Sequence, residues 1–272
     1  MSKLYPPQVN TSKLEIHLWW FTALLIAINV GLFASQVLHG MDISNPSTID
    51  AIRWGADYAP LSFLAEPARL FTSMFFHFGL IHLMLNMWAL YIFGSIAEQM
   101  LGRVYFIGLY FLAGISGSLL SGYVSIQDSY ELLRIGEANR ALLPSVGAGA
   151  SGAVMGIGAA LTILSLFPVL PQQRFLLDKR TLVSVMAINL VMGFMISGIN
   201  NAAHIGGMLM GAFLAATWYF GQKIQRGVVV NLASLLLGLA ICWFIYQYCL
   251  SLVVYVTPLW QELIQWMPNT TS

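Results

Sequence analysis

Charge is what this chain has least of. Only 8% of its 272 residues are Asp, Glu, Lys or Arg, against about 25% in a soluble domain. That excludes an ordinary water-facing surface, and a mean hydropathy of +0.75 places the chain in the membrane class. The formal net charge is +1, so the basic face that a nucleic-acid partner requires is missing. Cysteine is almost absent. Cys242 and Cys249 stand seven apart in an apolar run, which on a helix separates them by about 10 Å, beyond disulfide reach; both are expected to pack. No His-Glu-x-x-His occurs. His77, His82 and His204 offer zinc-ligand chemistry in principle, but the five-residue step from His77 to His82 does not suit one helical face. Neither a metal nor a cofactor is expected. The N-terminal region lacks a signal peptide: the first apolar run starts near residue 17, with no small-residue cleavage site after it.

What the chain does have is apolar runs of roughly 20 residues, each sufficient to cross a bilayer. They fall at about 17–38, 79–97, 104–124, 148–168, 181–199, 202–221 and 228–256. This predicts an all-α, polytopic membrane protein in a single helical domain. Residues 1–16 form a cytoplasmic segment, 17–222 the core, 228–256 an additional C-terminal span and 257–272 an outer tail. With the N-terminus inside, Lys3, Lys13, Arg103, Arg174, Lys179, Arg180, Lys223 and Arg226 lie on the cytoplasmic side. Only Arg53, Arg69, Arg134 and Arg140 lie outside, so the positive-inside rule favours this orientation. The outer segment 39–78 is apolar enough to dip into the bilayer interface. The outer segment 125–146, with Asp128, Glu131, Arg134, Glu137 and Arg140, reads as a solvated loop with at most a short helix.

Ionisable and polar groups inside apolar helices are expensive, and each is a functional candidate. Ser151, His204, and His82 with Asn86 each lie a few residues into a span that runs from outside inward. All therefore sit at a similar shallow depth, with Asn86 one turn below His82 on the same face. A serine needs a base to become a nucleophile, and His204 can serve. His82, Asn86 and the Ser151 N–H are donors for a developing oxyanion. No acidic residue lies at that depth, which favours a Ser-His dyad over a triad. Gly149 and Gly152 keep Ser151 uncrowded. The pairs Gly152-x-x-x-Gly156 and Gly207-x-x-x-Gly211 allow the fourth and sixth helices to approach closely. His77 either supports the oxyanion region or sits at the interface. Ser151 as a packing residue, His204 as an interhelical donor, and His82 with Asn86 as helix glue are the plainer alternatives.

These residues, taken in order, resemble the rhomboid family of intramembrane serine proteases. Gly149-Ala150-Ser151-Gly152 is similar to its nucleophile motif, and Ala203-His204-x-x-Gly207-x-x-x-Gly211 to its base motif. His82-x-x-x-Asn86 is similar to its oxyanion motif. Gly94-x-x-x-Glu98-x-x-x-Gly102, Tyr110-x-x-x-Gly114-x-x-Gly117 and Arg69-Leu70-Phe71-Thr72 also follow the family pattern, over roughly residues 53–220. The family usually has Trp where Ala68 stands, and often an aromatic where Met155 stands, four after the serine. The resemblance implies a rhomboid-like bundle of six core helices plus a seventh. It also implies a Ser151–His204 dyad without metal or cofactor, and transmembrane protein substrates cleaved within or near their spans. Met155 is then expected beside the base. A catalytically inactive rhomboid-like binder is the alternative, and a transporter the more distant one. The expected setting is the lipid bilayer of a bacterial plasma membrane, with the C-terminus and the opening of the active site on the outer side.

Overall fold

The computed structural model describes residues 16–137, 139–169, 178, 180, 182–187 and 200–267. Its principal helices are α1 (Trp20–Leu38), α5 (Leu80–Leu101), α6 (Arg103–Ile135), α7 (Ser151–Leu166), α8 (Asn201–Lys223) and α9 (Gly227–Val253). Between α1 and α5 the chain forms α2 (Thr48–Arg53), a two-residue strand β1 (Asp57–Tyr58), α3 (Ala59–Leu64) and α4 (Arg69–Thr72). A second short strand, β2 (Val146–Gly147), precedes α7, and α10 (Thr257–Gln265) follows α9. Among the described residues α1, α5, α6 and α9 are each long and apolar enough to cross a membrane. Of the span expected at 181–199, residues 182–187 are helical and the remainder lies outside the described residues, as does most of the turn expected at 168–180.

The core is built on α7 packed against α8, with α6 crossing both. Glycine makes the closest contact possible. A Cβ on Gly207 would stand 2.0 Å from the Gly152 carbonyl oxygen, and one on Gly211 would stand 2.0 Å from the Gly156 carbonyl oxygen. The two four-residue glycine repeats therefore interlock backbone to backbone, as small-residue membrane interfaces do. α1 is tied to α5 differently. The Glu98 carboxylate, 1% exposed, accepts from Phe21 N–H (3.1 Å), Thr22 N–H (2.8 Å) and Thr22 Oγ1 (2.8 Å). It thereby satisfies N–H groups that the first turn of α1 leaves without helical partners. Arg103 donates to the His17 carbonyl and lies over the Trp20 ring. Glu98 and Arg103 both act as ties between helices. Cys242 and Cys249 are buried and free, as their spacing requires.

Two sequence expectations are corrected. Residues 125–135 are not a loop: α6 runs on to Ile135 and stops at Gly136, which takes the left-handed conformation. Charge alone does not break a helix, and no glycine or proline intervenes between Gly122 and Gly136. Segment 39–78 folds against the protein: Tyr58, Leu61, Phe63, Leu70 and Phe76 are buried, although Phe71 remains exposed. Finally, Ser151 is not a few residues into its helix but its first residue. Residues 146–147 pair as a strand with 57–58, in the register Asp57↔Gly147 and Tyr58↔Val146.

Arg69 staples the segment between α1 and α5. It is buried, donates to the carbonyls of Ile52 (2.7 Å) and Ala56 (3.0 Å), and pairs with Glu66. The loop is thus anchored without the aromatic that the family pattern places at position 68. Beside it, Asp57 is buried and accepts from Ser62 Oγ at 2.6 Å. Burial pushes the Asp57 carboxyl from 3.8 up to about 6, against the opposing pull of the Ser62 hydrogen bond and the Arg69 charge. The folded loop therefore holds this proton more tightly than the unfolded chain does. That stabilisation is complete below about pH 4 and is lost as pH rises through 6. Asp57→Asn is expected to remove this contribution, so that between pH 4 and 7.5 the variant's Tm loses less than that of the wild type. Parallel Tm–pH curves would contradict it.

Candidate active site

Three segments meet at the start of α7. Gly149 has φ +114°, a conformation open to glycine and strained for any residue with a Cβ. This breaks the helix before Ser151, whose N–H is a first-turn donor with no helical acceptor. The turn is held from two sides. The Gly149 N–H donates to the Ser73 carbonyl at 2.9 Å, and the Ala150 N–H points to His77 Nε2 at 3.4 Å.

His82 and Asn86, on α5, face this turn. A Cβ on Gly149 would lie 2.8 Å from His82 Cε1, 3.0 Å from Nε2 and 3.9 Å from Asn86 Nδ2, so glycine is needed here for space as well as for conformation. The Phe78 N–H donates to His82 Nδ1 at 3.2 Å, which makes Nδ1 the acceptor and places the proton of the neutral ring on Nε2. The Nε2–H is therefore the free donor, and it is the edge beside Gly149. Asn86 Nδ2 spends one hydrogen on the His82 carbonyl at 3.0 Å and keeps the other. His77 is fully buried, with its ring 5.2 Å from that of His82. This places its ring beside His82 and the turn before Ser151.

α8 closes the other side. Its N-cap is Asn200, whose Oδ1 accepts from the Ala203 N–H at 3.0 Å while Nδ2 donates to Ser121 Oγ on α6 at 2.6 Å. His204, the fourth residue of α8, is buried. The Ala203 carbonyl, one residue earlier, lies 3.3 Å from where a Cβ on Gly152 would be and 2.6 Å from that of Gly117. The backbone next to His204 therefore comes close to the backbone next to Ser151, with room for little more than a hydrogen between them. His204 Nδ1 is buried without a hydrogen-bond partner. Among the described residues no hydrogen bond joins Ser151 Oγ to His204, and nucleophile–base bonds commonly tighten only with substrate in place. Met155 is buried with Ala159 and Met186, and Met208 packs against that group; it lies one turn below Ser151, and Met208 one turn below His204. No group of three or more His, Cys, Asp or Glu side chains suited to a metal occurs among the described residues.

Ser73, Phe78 and Asn200 were not singled out from sequence. Asn200 was the legible one, since Asn before a helix start is a common cap. The Ser73 carbonyl and the Phe78 amide act through the backbone, which no side-chain pattern reveals.

A family model for the rhomboid domain matches residues 64–223. The chain belongs to the rhomboid family. The match takes in every element of the site just described. This rhomboid is 32% identical over 227 residues to the rhomboid protease GluP of Bacillus subtilis, covering 83% of this chain and 40% of GluP. It is 28% identical over 244 residues to the rhomboid protease AarA of Providencia stuartii, covering 85% and 83% of the two chains. It is 31% identical over 211 residues to RHOMBOID-like protein 1 of Arabidopsis thaliana, covering 74% and 49%. The chain thus spans less than half of two of these relatives. With its family and its long apolar helices, it is an integral multi-pass membrane protein.

Proposed function

We propose that this rhomboid is an intramembrane serine endopeptidase that cleaves membrane-anchored proteins within or near their transmembrane segments. The observation that best supports this is the close approach of the two helix starts: the Ala203 carbonyl, next to His204, lies 3.3 Å from where a Cβ on Gly152, next to Ser151, would be. Ser151 Oγ attacks the scissile carbonyl and His204 takes its proton. The His82 Nε2–H, the second Asn86 amide hydrogen and the Ser151 N–H receive the negative charge on the carbonyl oxygen. His204 then returns the proton to the leaving amine, and water hydrolyses the acyl-enzyme. The partnerless Nδ1 of His204 supports a dyad, with packing in place of a carboxylate as the means of holding the ring. In the orientation that the basic residues favour, the site opens toward the outer face of the membrane, that of a bacterial cell. No metal or cofactor enters the mechanism.

The test is a single-span reporter protein co-reconstituted with the purified rhomboid in liposomes. Cleavage within or beside the reporter's span, unaffected by a zinc chelator, is expected. Capture of the reporter without cleavage would favour the inactive binder, and solute uptake without cleavage the transporter. Within the same assay His82→Ala is expected to lower kcat by about 10²-fold with little change in KM. Its donor acts on charge that develops only in the transition state. An equal rise in KM at constant kcat would assign His82 to substrate binding.

A further inference from the structure

The segment after α9 has no place in the mechanism, yet it is built into the protein. α10 is amphipathic and packs on α3. Its Trp260 is fully buried, and the indole Nε1–H donates to Ser129 Oγ at 2.8 Å on α6. Ser129 is equally buried, and its hydroxyl hydrogen is committed to the Ser125 carbonyl, so its oxygen is free to accept. The Trp260 ring faces Phe63 of α3 at 6.5 Å, and Phe63 also stacks on Tyr246 of α9 at 5.7 Å. Tyr130 on α6 donates to the Leu252 carbonyl, which fixes the end of α9 from which α10 starts. One turn past Trp260, Ile264 and then Met267 join a cluster with Ile52, Tyr58, Leu61 and Val146.

Two members of that cluster are the paired strand residues themselves. Tyr58 is opposite Val146 in the register of β1 and β2, and β2 runs within four residues into Gly149, Ala150 and Ser151. A two-residue strand pair has almost no cohesion of its own. Its position has to be imposed by what packs on it, and the apolar cluster that holds Tyr58 and Val146 is shared with Ile264 and Met267 at the end of α10.

We propose that α10 is a positioning element for the nucleophile, its Trp260 anchor and its Ile264 and Met267 contacts holding, through Tyr58 and Val146, the strand that delivers Ser151. This rests on the protease reading. It assigns the C-terminal span a purpose: α9 carries α10 back to the end of the bundle where Ser151 lies. Trp260 and Ile264 touch neither substrate nor reacting atoms and act only through the strand pair.

The experiment compares wild type, Trp260→Phe, Trp260→Ala and Ile264→Ser, full length and reconstituted. Three readouts are used: kcat and KM on the reporter, the rate of fluorophosphonate labelling at Ser151, and amide hydrogen exchange. Ile264 is only half-buried, so its replacement tests the idea even if Trp260→Ala fails to fold. For Ile264→Ser we expect faster exchange at residues 57–58 and 146–149 with protection of α6, α7 and α8 retained. Labelling and kcat should fall together by about tenfold or more, as small displacements of reacting groups do, with KM little changed. Trp260→Phe keeps the ring and is expected to retain most activity. Unchanged exchange in 146–149 and unchanged labelling in Ile264→Ser would overturn the proposal. So would a loss of protection spread evenly over the bundle, which would mean a merely structural role. Absence of cleavage and labelling in the wild type would instead sink the protease reading on which it stands.

Discussion

Ser151→Ala is expected to abolish reporter cleavage, by about 10⁴-fold or more, while leaving the Tm within a degree or two of wild type. Loss of a nucleophile that forms a covalent intermediate removes the chemical path and not merely a contact, so the effect falls on kcat. The stability expectation follows from position. Ser151 opens α7, where the helical N–H groups have no intrahelical acceptor, and among the described residues its hydroxyl makes no hydrogen bond. Alanine is also the best helix former. Activity and stability are thus predicted to separate completely at this residue. Residual cleavage within tenfold of wild type would mean that another group is the nucleophile.

The second large effect is on stability. Gly211→Ala adds one methyl group, yet its Cβ would stand 2.0 Å from the Gly156 carbonyl oxygen, 2.6 Å from that carbonyl carbon and 2.7 Å from Cα. All three atoms are backbone, so no side chain can swing away, and α7 and α8 must separate. Overpacking at such a site costs about 2–4 kcal/mol. Because Gly207 lies one turn from Gly211 and one turn from Ala203, the same displacement pulls His204 away from Ser151, and activity is expected to fall with stability. Gly31→Ala is the control. No atom lies within 4 Å of a Cβ there, and replacing a mid-helix glycine by alanine is expected to be neutral or mildly stabilising. Thermal unfolding in detergent compares the two, and equal Tm values would show that the helices are not locked by the glycines.

Much of this was legible because membrane burial and helix approach leave strong marks on sequence. The apolar runs marked the helices, and among the described residues α1, α5, α6 and α9 are long and apolar enough to cross a bilayer, which requires a fixed length. Ser151, His82, Asn86 and His204 stood out because polar groups in such runs are rare. The glycine repeats gave the α7–α8 interface. What was not legible depends on the backbone. Gly149 in a positive-φ conformation moves the helix start to Ser151, but a glycine in a small-residue stretch looks the same whether it begins a helix or breaks before one. The extension of α6 to Ile135 was hidden because charged residues suggest solvent but do not exclude helix. The packed state of segment 39–78 was hidden because apolar residues facing lipid and apolar residues facing protein have the same composition. Arg69 shows the same limit from the other side. Its neighbour Ala68 departs from the family pattern, yet three backbone and carboxylate partners hold the loop.

Met155 illustrates how a family departure is absorbed. An aromatic ring at that position would be expected to lie against the base. Met155 packs with Ala159 and Met186, with Met208, one turn after His204, against them. A flexible thioether fills such a gap without dictating the orientation of its neighbours. The burden of holding His204 then falls on the start of α8, where Asn200 caps the helix and ties it to Ser121, and where Ala203 rests on Gly117 and Gly152.

The central claim is that Ser151 is a nucleophile made reactive by His204. Reaction with a fluorophosphonate probe, followed by peptide mapping, tests it most directly because it needs no knowledge of the natural substrate. One labelled residue, Ser151, is expected in the wild type, with loss of labelling in both Ser151→Ala and His204→Ala. Labelling of His204→Ala at the wild-type rate, or a label on any other residue, would contradict it.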